Sequence, residues 1–398
     1  TFEGTVSFVN GNSQLTLTQP ATVTSADTTF FASTSLVVRA DGQTLHRPYD
    51  GGVELIVSTN PDSKMVRQTR RYFRYQSGKG IQVSFAVNFS PSSECELFSA
   101  SGAVGTITTR VPHRLSVGLF INTSGATNAS NLDIWNATVE VLSIIDSYTF
   151  TVQLSGTPLD ATAIGLSQFH VVSWSGSSLS CGLFDDQNGL FYEFDGATLF
   201  ACRRNSTTQI SGSVALEFRS GEINGTGTRF ISQVSVNDDL VIKGQTYQVT
   251  RIDSDERLFI SPSFQGTTID GAIISKVRTL RVPQSEWNID KCDGTGPSGF
   301  FLNTARIQMA YLDYSWYGAG KVRFGFKDQN GDVFYCHSFV HGNKEREAYM
   351  RSGNLPARYE VRNIGTPSYV AALAHWGTSV IMDGRFDPDE AYIFNGSS

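Results

Sequence analysis

Between Ile81 and Phe89 an apolar side chain stands at every second position, Ile81, Val83, Phe85, Val87 and Phe89, with Gln82, Ser84, Ala86 and Asn88 in the gaps. Successive side chains of a strand point to opposite faces, so this spacing predicts a β-strand with one face in a core. A helix would scatter the same five residues around its circumference. Comparable short runs recur: V-S-F-V-N at 6–10, S-Q-L-T-L-T at 13–18, T-T-F-F at 28–31, S-L-V-V-R at 35–39, V-E-L-I-V-S at 53–58, F-H-V-V-S-W at 169–174, G-K-V-R-F-G-F at 320–326 and D-V-F-Y-C-H-S-F-V at 332–340. Gly, Asn, Ser and Pro punctuate them, and no helical periodicity lasts beyond a turn or two, so the predicted class is all-β.

A chain of 398 residues with 40% hydrophobic and 12% aromatic residues has material for several cores. Its phrasing changes twice. Gly102 to about Leu166 carries H-R-L-S-V-G followed by V-E-V-L-S-I-I-D-S-Y-T-F-T-V, and Val214 to Val277 has strands about ten residues apart around G-Q-T-Y-Q-V. The blocks on either side share one aromatic-rich style, and L-F-Y-E-F-D-G-A-T-L-F reads as a hairpin turning at Asp195-Gly196. The expected architecture is a discontinuous β-sandwich of jelly-roll or lectin-like kind at 46–100, 167–212 and 279–398. Small modules are inserted at 101–166 and, barrel-like, at 213–278, behind an N-terminal β layer at 1–45.

The net charge of −6 argues against general nucleic-acid binding, which needs a basic face. No apolar run approaches the length of a membrane helix, so no membrane insertion is expected. Thr1-Phe2-Glu3-Gly4 lacks the charged-then-apolar layout of a secretory signal, and no initiator Met precedes it. Cys95, Cys181, Cys202, Cys292 and Cys336 are odd in number and widely spaced, which fits reduced thiols in apolar surroundings better than a disulfide frame or a zinc site. The N-x-S/T triplets, Asn205 among them, are what an Asn-, Ser- and Thr-rich chain contains by chance.

One basic segment stands out, K-M-V-R-Q-T-R-R-Y-F-R-Y-Q-S-G-K at 64–79. Arginines interleaved with aromatics can grip nucleic acid or simply face solvent. Tyr and Arg also dominate protein interfaces. The preferred reading makes Arg67, Arg70, Arg71, Tyr72, Phe73, Arg74 and Tyr75 an interface to an acidic neighbour, joined by Arg351 and Arg358, with Arg362 and Arg385 as further members.

Catalytic constellations are weak. Asp185, Asp186, Glu193 and Asp195 provide the paired carboxylates of a glycosidase or oxygen ligands for calcium, but D-D-Q-N-G is also ordinary turn chemistry. Asp383, Asp387, Asp389 and Glu390 repeat that pattern more faintly. His113 and Asp146 read as turn residues before they read as a catalytic pair. On a strand His337 and His341 would stand about 13 Å apart, too far for one metal. No nucleophile elbow, zincin helix, phosphate loop or dinucleotide fingerprint occurs. The expectation is no catalytic residue, no cofactor, no metal and no enzyme.

Several phrases resemble a known group. R-P-Y-D-G-G-V at 47–53, M-V-R-Q-T-R-R-Y-F-R-Y-Q-S-G-K-G-I-Q, G-L-F-D-D-Q-N-G-L-F-Y-E-F-D-G at 182–196, D-Y-S-W-Y-G-A-G at 313–320, A-Y-M-R-S-G-N-L-P-A-R-Y-E and H-W-G-T-S-V-I-M-D-G-R-F-D at 375–387 are similar to segments of structural proteins of tailed bacteriophages, especially contractile-tailed phages of marine cyanobacteria. The 101–166 segment likewise resembles a small module of phage tail and fibre proteins. The resemblance implies a non-enzymatic tail, baseplate or fibre component, assembled in the host cytoplasm and located in the virion. Its partners would be other virion proteins and copies of itself. Two other readings stay open. One is a receptor-binding adhesin using Trp135, Trp174 or Trp316 against a host surface glycan; the other is a polysaccharide depolymerase using Asp185 and Glu193. A capsid decoration protein is a lesser variant.

Overall fold

The alternating run at 81–89 becomes the middle of a sheet. The structure, a computed structural model, describes residues 34–47, 50–76, 78–127, 129–163 and 168–382. The runs at 6–10, 13–18 and 28–31, together with Asp383, Arg385, Asp387, Asp389 and Glu390, lie outside the described residues. Strand Ile81–Asn88 pairs antiparallel with Ala372–Met382 on one side and Gln308–Tyr314 on the other. Its Ile81, Val83, Phe85 and Val87 are buried, as the period predicts. Around them a seven-stranded sheet runs in the order Gln43–Arg47, Gly52–Ile56, Ala372–Met382, Ile81–Asn88, Gln308–Tyr314, Val322–Lys327, Val333–Phe339.

A second sheet faces it. Its order begins Thr34–Arg39, Lys64–Thr69, Ala357–Asn363, Ser177–Phe184, Gly189–Phe194, Leu199–Gln209, Ile274–Pro283. Phe85 of the first sheet meets the edge of Tyr359 in the second at 6.1 Å between ring centroids. Tyr192 meets Phe324 in the same way at 5.2 Å and donates its hydroxyl to the Gly325 carbonyl at 2.8 Å. The chain is therefore an all-β sandwich closed by aromatic pairs between its layers. Each large buried side chain contributes about 1.5–3 kcal/mol by leaving water.

The described part of the expected N-terminal layer differs from that expectation. Thr34–Arg39 pairs with Lys64–Thr69 in one sheet and Gln43–Arg47 with Gly52–Ile56 in the other, so these residues supply an edge strand to each layer of the sandwich. The hairpin at Asp195 is as expected. Asp195 Oδ1 accepts the Ala197 and Thr198 amides, and Gly196 turns at φ +96°, where a Cβ would stand 2.5 Å from the Trp174 carbonyl oxygen.

Two small rings close on themselves. The first uses Ser93–Ser101, Val104–Thr109, Phe120–Ser124, Thr138–Ile144, Thr149–Gln153 and Gln168–Val171. It is wider than the 101–166 segment because Ser93–Ser101 and Gln168–Val171 pair to shut it. The second uses Ser213–Leu216, Glu222–Thr226, Asp239–Ile242, Gln245–Ser254 and Arg257–Ser261, and is shut by Ile269–Ala272 running on past Ile273 into Ile274–Pro283. This barrel has a core of its own, with Phe230, Tyr247 and Phe264 among its buried residues.

Counting strands in chain order within each ring, both pair first with second, second with fifth, fifth with fourth, fourth with third, third with sixth and sixth with first. Single helical turns, Leu132–Trp135 and Phe230–Gln233, place Trp135 and Phe230 among the buried residues of the two rings. Among the described residues no helix is long and apolar enough to cross a membrane.

Candidate functional site

The basic aromatic segment divides into an inward and an outward part. Lys64–Thr69 is a strand, and from it Arg67 reaches His375 at 3.4 Å and Thr34 at 3.4 Å. His375 stacks on Tyr359 at 3.9 Å; burial and the Arg67 guanidinium pull its pKa down to about 4. Tyr75 is buried, with Tyr314, Trp316 and Tyr317 within 6.3 Å, 5.9 Å and 6.2 Å of its ring centroid. Phe73 is half-buried, its amide on the Leu355 carbonyl. Arg70, Arg71, Tyr72 and Arg74 are left exposed.

Of these four, Tyr72 stands beside the turn at 185–188. The Tyr72 hydroxyl lies near Asp185; burial first and that carboxylate second push the phenol up to about 12. Asp185 Oδ1 accepts the Gln187 and Asn188 amides at 2.8 and 2.7 Å, and Asn188 Oδ1 accepts the amide of exposed Arg351 at 2.9 Å. The turn at 185–188 thus brings Arg351 to the loop at 70–74, which are distant in sequence. Exposed Arg70, Arg71, Tyr72, Arg74 and Arg351 are thus carried by segments that meet at this turn, beside Asp185 and Asp186.

Arg67, Phe73, Tyr75 and Arg358 do not belong to that exposed set, and here the expectation is corrected. Arg358 is 4% exposed and belongs to a network on the outer face of the second sheet. Its guanidinium bonds Glu360 and reaches Asp186 at 2.8 Å, while Lys64 lies 3.4 Å and Arg362 3.5 Å from Glu360. Burial raises the pKa of Glu360, but Arg358, Lys64 and Arg362 outweigh it and hold the carboxyl well below its ordinary value. Burial lowers and the carboxylates Glu360 and Asp186 raise the Arg358 pKa, with a net rise.

Beneath these charges lie phenyl rings. Arg358 and Arg204 cover Phe184 at 5.1 and 5.6 Å, Arg204 covers Phe191 at 4.9 Å, and Arg281 covers Phe200 at 4.0 Å. Sequence reasoning missed this layer, although R-Y-E-V-R at 358–362 puts alternating charges on one strand face and so carries its signal.

The carboxylates considered for catalysis have structural duties. Asp185 holds its turn; buried Glu193 is paired with Arg281 at 2.8 Å, and Arg281 also approaches Asp195 at 3.6 Å. Neither Asp185 nor Glu193 lines the groove of about 550 Å³ between the second barrel and the segment at 345–349, whose walls include Arg203, Asn205, Lys276, Arg278, Glu345 and Glu347. His113 Nε2 donates to the Asp146 carbonyl at 2.8 Å, its Nδ1 accepting the Leu115 amide; it does not meet the Asp146 carboxylate, which accepts the Tyr148 and Thr149 amides.

The tryptophans considered for glycan stacking are placed inward: Trp135 and Trp174 are buried, and Trp316 is partly buried with its indole N–H on the Met350 carbonyl at 3.2 Å. His337 and His341 flank Phe339 at 4.7 and 6.4 Å between ring centroids. Among the described residues no group of three or more His, Cys, Asp or Glu is placed to hold a metal ion.

No protein-family model and no curated protein matches the chain. Among solved structures, a chain described as "Phage phi92 endosialidase" is similar at 12% sequence identity and a TM-score of 0.17, over 97% of this chain and 63% of that one. This chain therefore spans less than two thirds of that protein, and so slight a likeness defines neither fold nor activity.

Proposed function

We propose that this chain is a non-enzymatic structural protein of a bacteriophage virion, built into the tail, baseplate or fibre by contacts with copies of itself and with neighbouring virion proteins. Support comes from the phage-like segments of the sequence. The observation that carries the reading is the exposed set Arg70, Arg71, Tyr72, Arg74 and Arg351 around the turn at 185–188. Residues of these types contribute most at interfaces when the surface behind them is pre-formed, because little ordering entropy remains to be lost. An acidic surface of a neighbouring subunit is its complement. The carboxylates that hydrolysis would use are engaged in turns and ion pairs, which favours this reading over a depolymerase.

Immunogold labelling of purified phage particles tests the location, with label expected on the tail. Incorporation of an Arg71→Glu/Tyr72→Ala variant tests the surface, and is expected to fall at least tenfold while the free protein keeps its melting temperature. Unlabelled particles, or hydrolysis of host polysaccharide by the purified protein, would overturn the proposal.

A further inference from the structure

Two of the five cysteines are neighbours in space although 44 positions apart in sequence. Cys336 lies in strand Val333–Phe339, and its carbonyl accepts the amides of Ile289 and Asp290 at 3.1 and 3.0 Å, so the segment leading to Cys292 runs directly along that strand. The two thiols are near neighbours, each donating to a backbone carbonyl: Cys292 Sγ to Asp290 at 3.7 Å, a residue whose amide lies on the Cys336 carbonyl, and Cys336 Sγ to Phe324 at 3.4 Å. Tyr192 adds its hydroxyl to Cys336 Sγ at 3.6 Å, closing a small polar knot inside the core.

Cys292 is held there against its own backbone preference. It adopts φ +54°, a left-handed conformation that side chains other than Gly, Asn and Asp seldom take, and its amide is fixed on Asp290 Oδ1 at 2.7 Å. It is also the one buried residue between Lys291 and Gly299, a glycine-rich stretch whose other members are exposed or half-exposed. Such a loop opens locally at far lower cost than a core strand. Cys95, Cys181 and Cys202, by contrast, are buried within strands.

We propose that Cys292 and Cys336 are a disulfide-forming pair, oxidised by thiol–disulfide exchange with a small disulfide such as oxidised glutathione, with Cys292 reacting first. When the loop at 291–299 opens, Cys292 loses its proton to solvent and its thiolate attacks one sulfur of the small disulfide. A mixed disulfide forms and one thiolate leaves, taking up a proton. On reclosure Cys336, deprotonated, attacks Cys292 Sγ, expelling the second small thiol. Two protein thiols are oxidised to one disulfide and the small disulfide is reduced to two thiols, so atoms and electrons balance. The new bond fastens the loop to the sandwich once the protein leaves a reducing compartment, and in a reducing one the pair stays open.

Intact-protein and peptide mass spectrometry after incubation with oxidised glutathione tests this. The purified wild-type chain is expected to lose two hydrogens, to show two fewer alkylatable cysteines and to yield a linked peptide containing Cys292 and Cys336. Cys336→Ser is expected to keep one glutathione on Cys292, whereas Cys292→Ser keeps all its thiols free. Retention of all five thiols by the wild type, a bridge involving Cys95, Cys181 or Cys202, or an adduct on Cys336 in the Cys292→Ser variant would overturn the proposal. The wild-type peptide map decides by itself if either variant fails to fold.

Discussion

Replacing Glu360 by Gln removes one charge and almost no volume, so its effect measures the electrostatics of the outer network directly. The Glu360 side chain is 3% exposed, with Arg358 bonded to it, Lys64 at 3.4 Å and Arg362 at 3.5 Å. Removing one partner of a buried pair costs about 3–5 kcal/mol, because the other charge remains desolvated. Arg358, with a 5% exposed side chain, keeps Asp186 at 2.8 Å, but the Asp186 side chain is 58% exposed and compensates weakly. We therefore expect a loss of about 3 kcal/mol, the lower end of that range. With a urea slope of about 3 kcal/mol/M, the midpoint of the sandwich transition falls by about 1 M.

The pH dependence carries a definite sign. The folded-state pKa of Glu360 lies well below the ordinary 4.5. Its stabilisation is thus complete above the unfolded value and is lost as the pH falls through the folded one. The gap between wild type and Glu360→Gln, followed by urea denaturation, should be constant above about pH 5 and narrow below about pH 4.5. Adding Arg358→Met should recover much of the loss, since an uncharged layer over Phe184 leaves less charge desolvated. A single-variant loss under about 1 kcal/mol at neutral pH, or a gap that does not narrow in acid, would refute the reasoning.

Other perturbations give distinct outcomes. Phe85→Ala leaves a cavity between the sheets and should cost about 3–5 kcal/mol in chemical denaturation, with no compensation from pH. Burial pulls His375 and His337 down to about 4, so both are neutral in the fold and charge only at the cost of stability. Stability should therefore be full above about pH 6.5 and decline as the pH falls towards 4, by up to about 1.4 kcal/mol per unit for each residue; His375→Gln should flatten that decline in a pH series of melts. Tyr72→Ala, at an exposed site, should change stability by no more than about 0.5 kcal/mol in calorimetry, which separates an interface role from a packing role.

Much of this architecture was legible in the sequence because strand alternation reports directly on a one-sided core. Ile81 to Phe89 is such a case, and the Asp195-Gly196 hairpin is another, since its turn chemistry is local. Legibility failed where both faces of a strand are covered. Ser177–Phe184 and Gly189–Phe194 are buried at every position, so polarity there no longer separates inside from outside. Arg358 looked like a surface cation for the same reason: its carboxylate partner two residues on was visible, but the phenyl layer beneath it comes from other strands. The patch at Tyr72 was half legible. Composition marked the loop, yet only tertiary structure brings Arg351 beside the turn at 185–188 and sends Tyr75 into the interior.

The common strand order of the two rings has a practical corollary. Because the first and last strands of each are hydrogen-bonded neighbours, the chain arrives and departs at almost the same point, and the host sheets see little more than a long loop. The second ring, with a core of its own, is the one built as a cartridge: a short linker in its place should leave the sandwich core whole, whereas the first ring shares one continuous core with the sheets that carry it.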